Sequence, residues 1–235
     1  MVHTTRAIVL RIIRHGDDTV VLTALTEALG VRSFLLQTGK RKAWKGALIP
    51  LNRLEIVAKE RTGRDLLHIQ DLRVERPYLR AQQEPVRGTI VLFVQEVLYK
   101  VLREEVPDAA IYTFVQEALE ALDTTNNTAE FPLLFLVLLA ERLGFKPTSP
   151  GPGEHHFDLL EGEFVPGDRG RGHLMPPASS ALLAALLERR SWDGPITTPP
   201  RARRELLDLL LLYYRLHIDG LGELRSPAVL HETLS

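Results

Sequence analysis

The spacing of hydrophobic positions changes about a third of the way along the chain. Up to residue 75 they fall in short runs separated by turn residues. Thr5–Arg14 is rich in Ile, Val and Leu, and the turn-type cluster His15-Gly16-Asp17-Asp18 divides it from Thr19–Thr26. Val31–Gln37 follows Gly30. Asn52–Lys59 alternates, with Leu54, Ile56 and Ala58 facing one way and Arg53, Glu55 and Lys59 the other, the period of a half-buried strand. Thr62-Gly63 turns the chain into Leu66–Val74, where Leu67 and Ile69 are out of phase with Leu72 and Val74. That slip predicts a bulge near Gln70-Asp71. Five short strands in so few residues predict a small β-barrel, with the five-stranded OB barrel one solution. The pattern alone leaves an SH3-like barrel or a half-sandwich open.

After Pro77 the period becomes helical. Ile90, Val91, Phe93, Val94, Val97, Leu98, Val101 and Leu102 form one stripe, and Ile111, Phe114, Val115, Ala118, Leu119 and Leu122 form a second. Asn127 or Thr128 is placed to cap a third helix, with Pro132 in its first turn and Gly144 at its end. That helix is apolar nearly all round from Phe131 to Ala140, which predicts a central, buried position. Residues 145–177 interrupt the pattern with Pro147, Pro150, Gly151, Pro152 and Gly153, a short hairpin over Phe157–Val165 turning at Glu161-Gly162, and the glycine-rich Gly167–Gly172, read as a loop. Helices are predicted again at Ser180–Arg190, at Arg201–Ile218 and from Ser226-Pro227. The fall from strands to helices near residues 76–85 predicts two domains, 1–78 and 79–235, the second helical with a hairpin insertion at about 145–177. The expected class is therefore α+β in two parts.

Charge sharpens this division. The net charge of −1 hides 15 Lys+Arg against 8 Asp+Glu in residues 1–80, and 14 against 22 in the remainder. A basic first third suits a polyanion, and an acidic remainder suits protein partners. With no cysteine, disulfides, cysteine-ligated zinc, iron–sulfur clusters and thiol nucleophiles are excluded. Met1–Arg6 lacks the basic and apolar order of a signal peptide, and no apolar run approaches the roughly 20 residues of a membrane span. A cytoplasmic protein is expected, with no membrane partner.

The chemistry offered is that of binding. There is no phosphate-binding loop ending in Lys-Ser/Thr and no nucleophile elbow, and no catalytic carboxylate pair stands out. An enzyme is the weakest reading. His155 and His156 are adjacent on an extended segment and point to opposite faces, so with Asp158 and His173 they make a poor metal site, and no cofactor is expected. The most informative segment is Gly39-Lys40-Arg41-Lys42-Ala43-Trp44-Lys45-Gly46, four cations and a tryptophan between two strands. Cations hold phosphates without regard to sequence, and an exposed aromatic stacks on unpaired bases. The candidate DNA-binding residues are Lys40, Arg41, Lys42, Trp44 and Lys45, extended by Arg32 and Arg53 on the flanking strands. A barrel serving RNA, or a protein-only adaptor with a solubilising basic loop, are the alternatives.

Thr5-Arg6-Ala7-Ile8-Val9-Leu10, then Leu25-Thr26-Glu27 and Gly30, the basic segment leading into Ala47-Leu48-Ile49-Pro50-Leu51, Leu143-Gly144-Phe145-Lys146-Pro147, and Tyr213-Tyr214-Arg215-Leu216-His217 with Gly220, Leu224 and Ser226 together resemble the RecO family in order and spacing. The resemblance implies an N-terminal OB-fold and a helical C-terminal domain. It implies binding of single- and double-stranded DNA, annealing of complementary strands, and work with RecR to load RecA on DNA coated with single-strand-binding protein. It also implies that the helical domain holds that protein's acidic tail, for which Arg142 and Lys146 are candidates. Many members carry a four-cysteine zinc motif. Here Pro147–Met175 has no cysteine, so zinc is not expected and Phe157, Leu159 and Phe164 are expected to organise the hairpin instead.

Overall fold

In a computed structural model, described for residues 1–39, 43–60, 66–81, 83–102, 106–167, 172–189, 192, 194 and 198–233, five strands close into a barrel. They are β1 (Val2–His15), β2 (Thr19–Thr26), β3 (Gly30–Gln37), β4 (Arg53–Lys59) and β5 (Leu67–Val74), in the order β1-β2-β3-β5-β4. This is the OB-fold, one of the solutions the strand pattern left open and the one the family resemblance implied. β1 is long enough to serve two neighbours. Its first half pairs with β4 from Val2↔Lys59 to Ile8↔Arg53, and its second half pairs with β2 from Ala7↔Thr26 to His15↔Thr19. β3 and β5 meet in parallel only at Phe34↔Leu67 and Leu35↔His68.

Alternation sends Ala7, Val9, Leu22, Ala24, Phe34, Leu36, Leu54, Ile56 and Ala58 into the barrel, all with no exposed surface. Each large apolar side chain so buried contributes roughly 1.5–3 kcal/mol. The predicted slip in β5 is real. Val57 pairs with Asp71 and Ala58 with Ile69, leaving Gln70 as the extra residue. A second bulge lies in β1, where Val9 opposes Ala24 and Arg11 opposes Thr23, so Leu10 has no partner.

Ile8 and Leu10 face out of the barrel yet are fully buried, because α2 (Pro85–Val101) packs against β1. Gln95 Nε2 donates to the carbonyl of Leu10, and Arg11 lies over the ring of Tyr99 at 4.9 Å while donating to its hydroxyl. At the start of α3 (Ala109–Thr124), Tyr112 lies 5.9 Å from Arg6, which forks onto the Glu27 carboxylate. The fork lowers the Glu27 pKa and raises that of Arg6. Contacts therefore group the chain as Met1–Val115 and Gln116–Ser235, dividing within α3.

The short helix α1 (Ala43–Ala47), not anticipated from sequence, carries Trp44 and Ala47 into the barrel core. Leu51, just before β4, has a left-handed backbone with φ of 56°. A leucine pays about 1–2 kcal/mol for that conformation. It is held by its N–H donating to the Val9 carbonyl (2.9 Å) and by the Tyr78 hydroxyl donating to its own carbonyl (2.7 Å).

In the second unit α4 (Phe131–Arg142) is buried nearly all round, as its composition predicts, and packs against α5 (Pro177–Leu187) and α6 (Pro200–His217). Its N-cap is Glu130 rather than Asn127 or Thr128, because Asn127 spends its side chain on Glu130 itself. Gly144 ends the helix with φ of 87°. Strands β6 (His156–Asp158) and β7 (Glu163–Val165) form the expected hairpin. Phe157, Leu159 and Phe164 are buried, and Phe157 packs edge-on against Tyr213 at 5.5 Å. The Tyr213 hydroxyl donates to the Phe145 carbonyl (2.6 Å), and burial pushes its pKa up to about 12. α7 (Ser226–Thr233) closes the chain. Among the described residues no helix is long and apolar enough to cross a membrane.

Candidate functional site

The outer face of β1, β2 and β3 is laid out in rows fixed by strand register. One row runs Ile13, Val21, Leu35 and His68. It is flanked by Arg11, Thr23 and Ser33 on one side and by His15, Thr19 and Gln37 on the other. Thr23 and Ser33 tie their hydroxyls together at 3.1 Å. At the end of this face lies a groove of about 660 Å³. It is lined by Asp18 of the β1–β2 turn, Thr19 at the start of β2, Gln37 and Gly39 at and beyond the end of β3, and Lys59, His68 and Gln70 of β4 and β5. In OB barrels this strand face and these loop ends are the surface that takes oligonucleotides.

Gly39, just before Lys40-Arg41-Lys42, and Trp44, two residues after it, both line the groove. The three cations themselves, and the side chain of Lys45, lie outside the described residues, as do 168–171 of the glycine-rich stretch. Gly39 and Trp44 thus link the basic segment of the sequence to the groove. The structure also corrects parts of the sequence reading. Trp44 is only 8% exposed and packs in the barrel core, so it offers no free ring face to a base. Its burial anchors α1, and with it one end of the basic segment.

Arg53 is 3% exposed. It points out of the barrel as its alternation predicts, but the chain after β5 covers it. Its guanidinium lies 4.7 Å from the centre of the Tyr78 ring and donates to the Arg76 carbonyl at 3.4 Å. Arg32 pairs with Ala24 and shares the inward parity of Phe34 and Leu36, so it is half-buried at the barrel end and not on the grooved face. The sequence reading passed over Thr19, Gln37, Lys59, His68 and Gln70. Their signal was present: Thr19 begins one predicted strand, Gln37 and Lys59 end two others, and strand ends meet at a barrel mouth.

In the helical unit Arg142 and Lys146 are both exposed near the end of α4, and Lys146 pairs with Glu141 at 3.0 Å. A small cleft elsewhere in that unit is lined by Pro132, Leu133, Leu207 and Leu230 together with Arg203 and Arg204. Arg203 donates to the Thr198 carbonyl (2.5 Å) and Arg204 to that of His231 (2.7 Å). Nearby, Glu130 is a buried carboxylate. Burial alone would raise its pKa, but hydrogen bonds from Thr198 and Asn127 and the Arg189 guanidinium at 2.6 Å outweigh this and lower it.

Two family models match the chain: Recombination protein O N terminal over residues 1–78 and Recombination protein O C terminal over residues 82–227. Proteins named DNA repair protein RecO are similar along the whole length. That of Porphyromonas gingivalis strain ATCC 33277 is 32% identical over 241 residues, covering 98% of each chain. That of Christiangramia forsetii is 29% identical over 239 residues, covering 99% of this chain and 98% of its own. That of Phocaeicola vulgatus is 27% identical over 241 residues, covering both chains fully.

Proposed function

The chain belongs to the RecO family of DNA repair proteins, and from that premise we propose that it is a non-enzymatic recombination mediator whose barrel groove holds DNA. It binds single and double strands, anneals complementary strands, and with RecR helps load RecA on DNA coated with single-strand-binding protein. The observation that carries the reading is the groove on the OB face whose lining includes both flanks of the basic segment. Lys40, Arg41, Lys42 and Lys45 neutralise phosphates there. Neutralising both strands reduces their repulsion and lets bases pair, so annealing needs no covalent step. Trp44 acts as the anchor of this segment, and Arg53 stays inside the fold.

The acidic tail of single-strand-binding protein docks on the helical unit. Arg142 and Lys146 are candidate contacts, and the cleft beside Arg203 and Arg204 combines apolar walls with cations as such a tail requires. A labelled tail peptide titrated against Arg142→Ala/Lys146→Ala and against Arg204→Ala separates the two locations. Loss of affinity in neither removes both.

The central test is a fluorescence-anisotropy titration of a single-stranded oligonucleotide across a salt series, with annealing of its complement followed in parallel. Binding should weaken steeply with salt. The double variant Lys40→Glu/Lys42→Glu should reduce the slope of log affinity against log salt by roughly 0.7 for each phosphate that is no longer neutralised. Unchanged affinity and slope in that variant would remove the basic segment from the site.

A further inference from the structure

We propose that Arg11, held in place by Tyr99, takes a phosphate of a single DNA strand laid across β1, β2 and β3, and that the row Ile13, Val21 and Leu35 takes the faces of its bases. This rests on the reading above that the barrel holds DNA, and it adds a contact on the same strand face, apart from the basic segment.

The first support is the bulge in β1. Ala7 and Val9 point into the barrel, so strict alternation would send Arg11 and Ile13 inward as well. The unpaired Leu10 reverses the phase. Beyond it Ile12 packs against the barrel core, and Arg11, Ile13 and His15 stand on the outer face. Leu10 and Arg11 thereby share the outer side, Leu10 buried against α2 and Arg11 exposed beside it.

The second support is that Arg11 is positioned without being neutralised. It donates to the Tyr99 hydroxyl, and its guanidinium lies 4.9 Å from the centre of the Tyr99 ring. Tyr99 is half-buried on α2, which is fastened to the same strand by Gln95 Nε2 donating to the Leu10 carbonyl. By contrast, Arg6 and Arg73 on the outer side of the barrel end on the carboxylates of Glu27 and Glu55. Arg11 pairs with no carboxylate among the described residues. The Tyr99 hydroxyl accepts from Arg11, so its own proton is left to donate. A fixed guanidinium with spare donors beside a hydroxyl matches a phosphate.

The third support is the order of the rows. Arg11, Thr23 and Ser33 stand opposite one another across the strands, so two hydroxyls continue the line of the guanidinium. Two residues further along each strand, roughly 6.6–6.8 Å away, the row is apolar: Ile13, Val21 and Leu35. That step is the reach from a phosphate to its own base. Ile13 is 42% exposed, although it is a large aliphatic side chain in the middle of a sheet face. The apolar row ends at Leu35 and His68, which also line the groove, so the two surfaces are continuous. A duplex keeps its base faces inside the stack, whereas an unpaired strand offers them to the protein.

The test uses the full chain with a labelled single-stranded oligo-dT and a labelled duplex of equal length, each titrated by anisotropy across a salt series. Arg11→Gln should weaken binding of the single strand and flatten its slope of log affinity against log salt by roughly 0.7. Arg73→Gln removes an exposed cation from another side of the same barrel and should leave that slope unchanged. Tyr99→Phe keeps every charge but releases the guanidinium, so affinity should fall with the slope retained. Ile13→Ser should weaken the single strand roughly fivefold and leave the duplex as it was. Thermal melting checks that each variant folds. A native slope in Arg11→Gln, an equal flattening in Arg73→Gln, native affinity in Tyr99→Phe, or equal losses of single strand and duplex in Ile13→Ser overturns the inference while leaving DNA binding intact. Binding of neither oligonucleotide by the native protein overturns the underlying DNA-binding reading as well.

Discussion

Glu130→Gln changes one carboxylate oxygen to an amide nitrogen at a point where three parts of the helical unit meet. Glu130 is 2% exposed. One oxygen accepts from the Thr198 N–H at 3.1 Å, and the other from Asn127 Nδ2 at 3.2 Å and from Arg189 Nη1 at 2.6 Å. Glutamine can keep the Thr198 bond, but its NH₂ group then meets two donors. The loss is one neutral hydrogen bond, about 0.5–1.5 kcal/mol, and one charge-assisted bond, about 1.5–3 kcal/mol. Arg189 is 20% exposed and recovers part of its hydration, which puts the expected loss at roughly 2–3 kcal/mol. For a chain of this size that is a fall in Tm of roughly 5–10 °C. The pH dependence adds a second observable. Because the folded pKa of Glu130 is lowered, its contribution is complete above the unfolded value of about 4.3 and is lost as pH falls through the folded value. Thermal unfolding followed by circular dichroism should show the full gap between native and variant at pH 7, narrowing below about pH 4. A variant within roughly 2 °C of the native protein at pH 7, or a gap that stays constant into acid, would refute the assignment of Glu130 as a charged tie.

Three further outcomes are expected. Arg53→Ala should cost about 1–2 kcal/mol in urea unfolding by removing the desolvated cation–π pairing with Tyr78, and should leave the salt slope of DNA binding unchanged; a flatter slope would return Arg53 to the interface. Gly162→Ala should cost about 2 kcal/mol or more, because φ is 73° and the new β-carbon would stand 2.8 Å from the Tyr213 hydroxyl; a neutral result in chemical denaturation would show that the hairpin turn moves freely. A metal chelator should leave Tm unchanged, since Phe157 and Phe164, packed on each other and Phe157 on Tyr213, hold the hairpin segment; a chelator-induced fall would show a metal contribution.

The strands were legible because alternation is a local signal, strong enough that even the Gln70 bulge shows as a change of phase. The long helices were legible for the same reason. α1 was not, since five residues carrying a tryptophan, a lysine and a glycine have no period to read. Burial that arises between segments far apart in sequence was equally hidden. Arg53 sits on the polar side of a strand, and nothing near it indicates that Tyr78 covers it. Arg32 looks like a surface cation until the register with Ala24 sets its parity. The groove at the barrel end is lined by Thr19, Gln37, Lys59, His68 and Gln70, which are unremarkable residues until the strands assemble.

The two tryptophans of the chain fall one to each compact unit. Trp44 plugs the barrel, and Trp192 stacks on Phe131 at 4.8 Å. Intrinsic fluorescence is therefore a pair of separately addressable reporters. Trp192→Phe leaves emission only from the barrel, and Trp44→Phe only from the helical unit. Denaturation midpoints of the two variants, each compared with the same variant's circular dichroism, would show whether the halves of this molecule lose their structure in one cooperative step or in succession.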